Sequence, residues 1–186
     1  ASGVAVITYQ VSDGELTDQG LAPKRYDEET RSLFSSLRQR SVLFEGDTVR
    51  LPNGKVGPWL PGMQDAASQF VQLTWLFTTQ PQLLKVGQRI ELPLALTTKL
   101  DRWTYDVIGE ETLNTVAGPV PTFHLKPQLQ RPSRHNLVAD VWFAPSLQYL
   151  PIRLLIRQDE ETYVDLMIER LPQQAAAPAA AASGSR

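Results

Sequence analysis

The segment Val138–Leu171 constrains the fold more than any other part of the chain. It reads V-A-D-V-W-F-A-P-S-L-Q-Y-L-P-I-R-L-L-I-R-Q-D-E-E-T-Y-V-D-L-M-I-E-R-L: strand, proline-framed loop, strand, acidic turn, strand. Ile152, Leu154 and Ile156 alternate with Arg153 and Arg157. Val164, Leu166 and Ile168 alternate with Tyr163, Asp165, Met167 and Glu169. A period of two sends successive side chains to opposite faces, so the pattern predicts antiparallel strands with one buried face. A slip of one residue would set Leu154 against Asp165 on that face, which is costly. The expected register sets Leu154 against Val164 and Arg153 against Asp165. The alternative, two residues along, sets Leu154 against Leu166 and gives up the direct charge pair.

A length of 186 residues predicts one domain with a sizeable core. The net charge of −2 gives no reason to expect a nucleic-acid partner. Cysteine is absent, which excludes disulfides, thiolate zinc sites and thiol catalysis together. No apolar run approaches the ~18 residues of a membrane span. The chain opens at Ala1 and runs almost directly into V-A-V-I-T-Y, as expected of a processed or truncated chain.

Val4–Val11 reads as a strand, Ser12-Asp13-Gly14 as a turn, and Glu15–Thr17 as a return to the sheet. Gly20-Leu21-Ala22-Pro23 breaks the pattern, and Lys24–Leu37 fits strand or loop. Ser41–Phe44 and Thr48–Leu51 flank Glu45-Gly46-Asp47 as a hairpin. Pro52–Gly62 reads as loop. Ala66, Phe70, Leu73 and Phe77 then fall on one helical stripe, predicting a helix over Met63–Thr79. Arg89–Leu96, Trp103–Ile108, Thr122–Pro127 and Leu137–Phe143 are further strands. The domain is expected to span residues 1–171, and 172–186 to be a disordered, Ala-rich tail with nothing to bury.

Chemistry-bearing patterns are sparse. His124 lies in a strand pattern and His135 in a loop, neither with a second ligand at metal-site spacing, so no metal or cofactor is expected. No nucleophile elbow and no phosphate-binding glycine loop is present. Glu28-Glu29, Glu110-Glu111 and Asp159-Glu160-Glu161 fall in polar or turn-like stretches, where a carboxyl is not desolvated for acid–base work. The loop from Lys126 to Arg134, next to His135, is a solvated basic stretch or a contact for an anionic group. Several aromatic residues either fill the core or line a cavity. Trp75, Trp103, Trp142 and Tyr149 are the candidate lining, with Arg153 or Arg134 at the mouth for an anionic head group.

Four blocks carry a resemblance: Gly20–Tyr26 (G-L-A-P-K-R-Y), Pro61–Asp65 (P-G-M-Q-D), Gly109–Gly118 (G-E-E-T-L-N-T-V-A-G) and Val141–Arg153 (V-W-F-A-P-S-L-Q-Y-L-P-I-R). In this order and spacing the chain resembles, over roughly Val4 to Leu171, the bacterial family known as domain of unknown function 3108. The resemblance implies a periplasmic or membrane-tethered envelope protein with an antiparallel β domain. It also implies further strands before the first block, which this chain is expected to lack, and it supplies no catalytic residues.

The fold expected is mainly β: a curved antiparallel sheet, half-barrel or incomplete barrel, with one packed α-helix. The function expected is non-catalytic. One form of it binds a lipid or other amphipathic ligand between sheet and helix; the other is an assembly or scaffold protein acting through surface contacts.

Overall fold

Alternation of apolar and polar residues recurs along the chain, and the computed structural model arranges the described residues into two sheets and one α-helix. It describes residues 6–32, 35–128, 138–157 and 163–172. The first sheet is an antiparallel meander in chain order: β1 (Val6–Thr17), β2 (Gly20–Ser32), β3 (Ser35–Glu45), β4 (Thr48–Arg50) and β5 (Val56–Pro58). The second holds β6 (Gln64–Asp65), β7 (Arg89–Ala95), β8 (Leu100–Thr115), β9 (Gly118–Gln128), β10 (Val138–Ala144), β11 (Leu150–Arg157) and β12 (Tyr163–Met167). Its order is β12-β11-β10-β9-β8-β7-β6, curled into a half-barrel. Among the described residues only β6 runs parallel to its neighbour. The mainly β half-barrel with one helix agrees with the sequence.

Helix α1 (Ser68–Thr79) starts five residues later than its apolar stripe suggested. Gln64 and Asp65 pair with Leu94 and Ala95 instead, and the chain turns after them. The Asp65 carboxylate accepts from the Ala67 and Ser68 amides at 2.9 and 2.8 Å, and the Asp65 amide donates to Ser68 Oγ at 2.9 Å. These bonds satisfy amide donors that a helix start leaves free. Leu73 and Phe77 are fully buried as expected, but Phe70 is only half-buried and Ala66 lies outside the helix. Ser68, Gln69 and Gln72 are buried with them. The helix is covered on two sides, by the second sheet and by β2.

Other departures have local causes. Gly20–Pro23 lies inside β2, and Pro23 is tolerated where a bulge at Asp13–Gly14 interrupts the β1–β2 ladder. β1 is continuous through Ser12–Gly14, and β5 lies within the supposed loop Pro52–Gly62. In the last hairpin Leu154 stands opposite Leu166, the alternative register. That register keeps the ion pair after all. Arg153 reaches Asp165 diagonally, with Nε to Oδ1 at 2.9 Å and Nη2 to Oδ2 at 2.7 Å. A bulge between Trp142 and Phe143 leaves Ile152 as an extra residue on β11. It therefore faces the same way as Leu155, and not with Leu154 as strict alternation required. Apart from Pro172, the expected tail lies outside the described residues.

Three apolar clusters hold the fold. The largest sets Leu73 and Phe77 of α1 against Leu92, Leu94, Tyr105, Val107, Leu125, Val141 and Phe143 of the second sheet. Phe77 meets Phe143 edge-on, ring centroids 5.1 Å apart. A second cluster, on the far face of the same sheet, gathers Leu113, Val120, Trp142, Leu147, Ile152 and Leu155. The third joins the sheets: Tyr26, Val42, Val49, Leu51 and Met63 close on Ala95, with Leu100 packed beside them.

Candidate functional site

The far face of the second sheet carries a row of chemistry that crosses five strands. Trp142 of β10 stands opposite His124 of β9 on one side and Arg153 of β11 on the other. Cross-strand partners share a face, so the three side chains stack along the ladder. The His124 ring lies 4.1 Å from the Trp142 ring at an interplanar angle of 18°, and the Arg153 guanidinium carbon sits 4.6 Å from the indole centroid. A cation over an indole is attracted by its π density. The indole N–H donates to Glu111 of β8. At the other end Asp165 of β12 holds Arg153 in a bidentate pair.

His124 is gripped from both sides. Its Nδ1 lies 3.3 Å from Glu111 Oε1 and its Nε2 3.2 Å from Asp140 Oδ2. A neutral imidazole can donate to one of these carboxylates; only the doubly protonated ring donates to both. Both ring nitrogens face carboxylates and one ring face is covered by the indole. The arrangement ties together three strands, β8, β9 and β10.

Charges at the β11–β12 end reinforce one another. The Arg153 hydrogen bond, with Arg157 adding to it, holds the Asp165 carboxyl below the usual carboxylate range. The same bond holds Arg153 in its charged form. Two open clefts flank the row. One of about 420 Å³ is lined by Glu111, Thr122, Phe123 and Pro145; one of about 440 Å³ by Arg153, Leu155, Arg157, Tyr163 and Asp165. Neither lies between α1 and the sheet.

The residues singled out from sequence as a cavity lining are divided between the two faces. Trp103 is buried in the helix-side cluster, tilted against Tyr105, and its indole N–H has no hydrogen-bond partner among the described residues. Tyr149 packs against the same cluster from a left-handed backbone, φ 57°, at the end of the turn framed by Pro145 and Pro151. Trp75 is half-buried on α1. Trp142 and Arg153 alone come together, on the far face, and Trp142 is 4% exposed. Arg134 and His135 lie outside the described residues. Glu111, read as part of a polar or turn-like stretch, is inside β8, and Asp140, a lone charge in the apolar run V-A-D-V-W-F, was the overlooked signal. Among the described residues no group of three His, Asp or Glu is placed to hold a metal ion, and no helix is long and apolar enough to cross a membrane.

A family model described as "Protein of unknown function (DUF3108)" matches residues 1–161. The chain belongs to the DUF3108 family. Its blocks have structural work in this member. Leu21 and Gln64, from the first and second blocks, are joined where Gln64 Nε2 donates to the Leu21 carbonyl at 2.9 Å. Glu111 and Trp142, from the third and fourth, are joined by the indole hydrogen bond. No curated protein matches this DUF3108 chain. A crystal structure of a DUF1089 family protein from Pseudomonas aeruginosa is similar at 15% identity and a TM-score of 0.45, covering 81% of this chain and 75% of that one.

Proposed function

We propose that this DUF3108 protein is a non-catalytic assembly or scaffold protein of the bacterial cell envelope, acting through its surface. One observation carries the reading. The space between helix and sheet is filled with side chains, while the last strand, at a sheet edge that is open among the described residues, presents Tyr163, Val164, Leu166 and Met167 at 42–61% exposure. A carrier needs an apolar cavity of a few hundred Å³. Here Leu73, Phe77, Leu94, Tyr105, Leu125 and Phe143 occupy the place where a ligand would lie. Apolar side chains gathered at a rim are what a contact surface needs. The envelope location, periplasmic or tethered to a membrane, comes from the resemblance of the sequence blocks and is part of the proposal.

The test combines fractionation with native mass spectrometry of the full-length protein. The expected outcome is recovery in envelope fractions, without stoichiometric lipid, and with cross-links to protein from a photoreactive residue at Leu166. A lipid that co-purifies mole for mole, and is lost with Leu73→Trp or Phe77→Ala, would replace the scaffold with a carrier.

A further inference from the structure

We propose that the free edge of β12 binds the same edge of a second copy of this chain, in an antiparallel pair centred on Asp165. The inference rests on the surface-contact function and names its partner.

The backbone sets the geometry. Among the described residues β12 pairs with β11 alone. The Ile168 amide donates to the Ile152 carbonyl at 2.8 Å, so even-numbered residues here turn their N–H and C=O groups toward β11. Successive residues alternate, and Tyr163, Asp165 and Met167 therefore aim theirs out at the open edge. A strand added there must match outward groups with outward groups. Within the five residues of β12 only one antiparallel self-register uses all three: Tyr163 against Met167 of the second copy, Asp165 against Asp165, and Met167 against Tyr163. Each such pair exchanges two backbone hydrogen bonds. Shifting by two residues either way loses one pair.

The side chains agree with that register. On the helix-side face it extends the observed rows Leu154–Leu166 and Ile156–Val164 into Leu154–Leu166–Val164–Ile156 across the two copies, apolar throughout. Those residues are half-buried or exposed in a single copy. On the far face Tyr163 meets Met167, a favourable aromatic–thioether contact, with Arg157 beyond the one and Arg153 beyond the other. The two Asp165 carboxylates approach at the centre. Like charges there would repel, but each is already bound by Arg153 and attracted by Arg157, so two carboxylates stand among four guanidiniums. β12 also lacks the lysine, proline or bulge that commonly blocks an edge. A self-complementary patch repeated by a two-fold axis gives a closed dimer and not a fibre. Five residues a side fall short of the ~800 Å² per partner of a standard interface, so association is weak and concentration-dependent.

The absence of cysteine makes the register directly testable. Sedimentation velocity of the full chain should show a reversible monomer–dimer equilibrium. Leu166→Lys should weaken it by about tenfold or more while leaving the melting temperature and circular dichroism in place. The paired variant Tyr163→Cys/Met167→Cys should form an intermolecular disulfide under mild oxidation. Single cysteines at Val164 or Leu166, off the two-fold centre, should cross-link poorly. A chain that stays monomeric at millimolar concentration overturns the inference. So does a dimer that Leu166→Lys leaves intact, or one cross-linked best through 164 or 166. If the chain is monomeric but Leu166 still cross-links to another envelope protein, the self-pairing fails and the scaffold function stands.

Discussion

Trp142 meets three demands at once: its face receives His124, its other face receives Arg153, and its N–H finds Glu111. Trp142→Phe keeps an aromatic face but removes the indole hydrogen bond to the exposed Glu111 carboxylate, which keeps its contact with His124, and should cost about 0.5–1.5 kcal/mol in urea unfolding. Trp142→Ala also opens the Leu113–Leu155 cluster and should cost about 3–5 kcal/mol. Asp165 yields a pH prediction. Its folded pKa lies below its unfolded value, so its contribution is fully present above the ordinary carboxylate range near 3.9. It disappears as the pH falls through the lowered folded value. Wild type and Asp165→Asn should therefore differ at neutral pH and converge in acid; the pair is partly exposed, so the gap at pH 7 should be no more than about 1 kcal/mol. A gap that widened on acidification would contradict the sign. Individual members of the row were legible in the sequence: Trp142, Arg153 and His124 each drew attention. Their meeting was not, because it depends on registers between strands whose members lie up to 54 residues apart, from Glu111 to Asp165.

The helix shows how far a periodic pattern carries at the scale of one element. Leu73 and Phe77 were identifiable because a single apolar stripe suffices to bury one face. The glutamines beside them gave no such sign. Gln72 Oε1 accepts the Leu21 amide at 2.8 Å and Gln69 Oε1 accepts the Tyr105 hydroxyl at 2.7 Å, so these polar residues are buried because they are bonded. β6, two residues long, carries no sequence signature at all. Gly20 is the sharpest test of this junction. Its φ is +102°, and a Cβ there would fall against the Gln72 carboxamide. Gly20→Ala should lower stability by about 1–3 kcal/mol on thermal denaturation, and adding Gln72→Ala should not restore it, because the backbone conformation still disfavours an L side chain. Full rescue by the second change would assign the cost to the contact alone.

Across the whole molecule the sheets are joined by a few residues of unlike origin. Tyr26, Val42 and Val49 come from the meander, Met63 from the connection, and Ala95 from the far end of β7. Ser12 Oγ also donates to Asp65 Oδ2 at 2.6 Å, tying β1 to the turn that starts the helix. Burial of Tyr26 holds its hydroxyl well above the ordinary tyrosine range. Its absorbance should stay that of a neutral phenol in alkali until the chain unfolds, and early titration would mean that the inter-sheet contact opens. This joint also sets an order of events on the ribosome. The meander is built entirely from neighbouring hairpins and emerges before the second sheet, so it can pair as it is made. Its inward side chains, however, wait for a residue about thirty positions past Met63, and at ~5–20 residues per second the nascent meander spends seconds with an apolar face uncovered. Over that interval the newborn chain is the form a chaperone would meet.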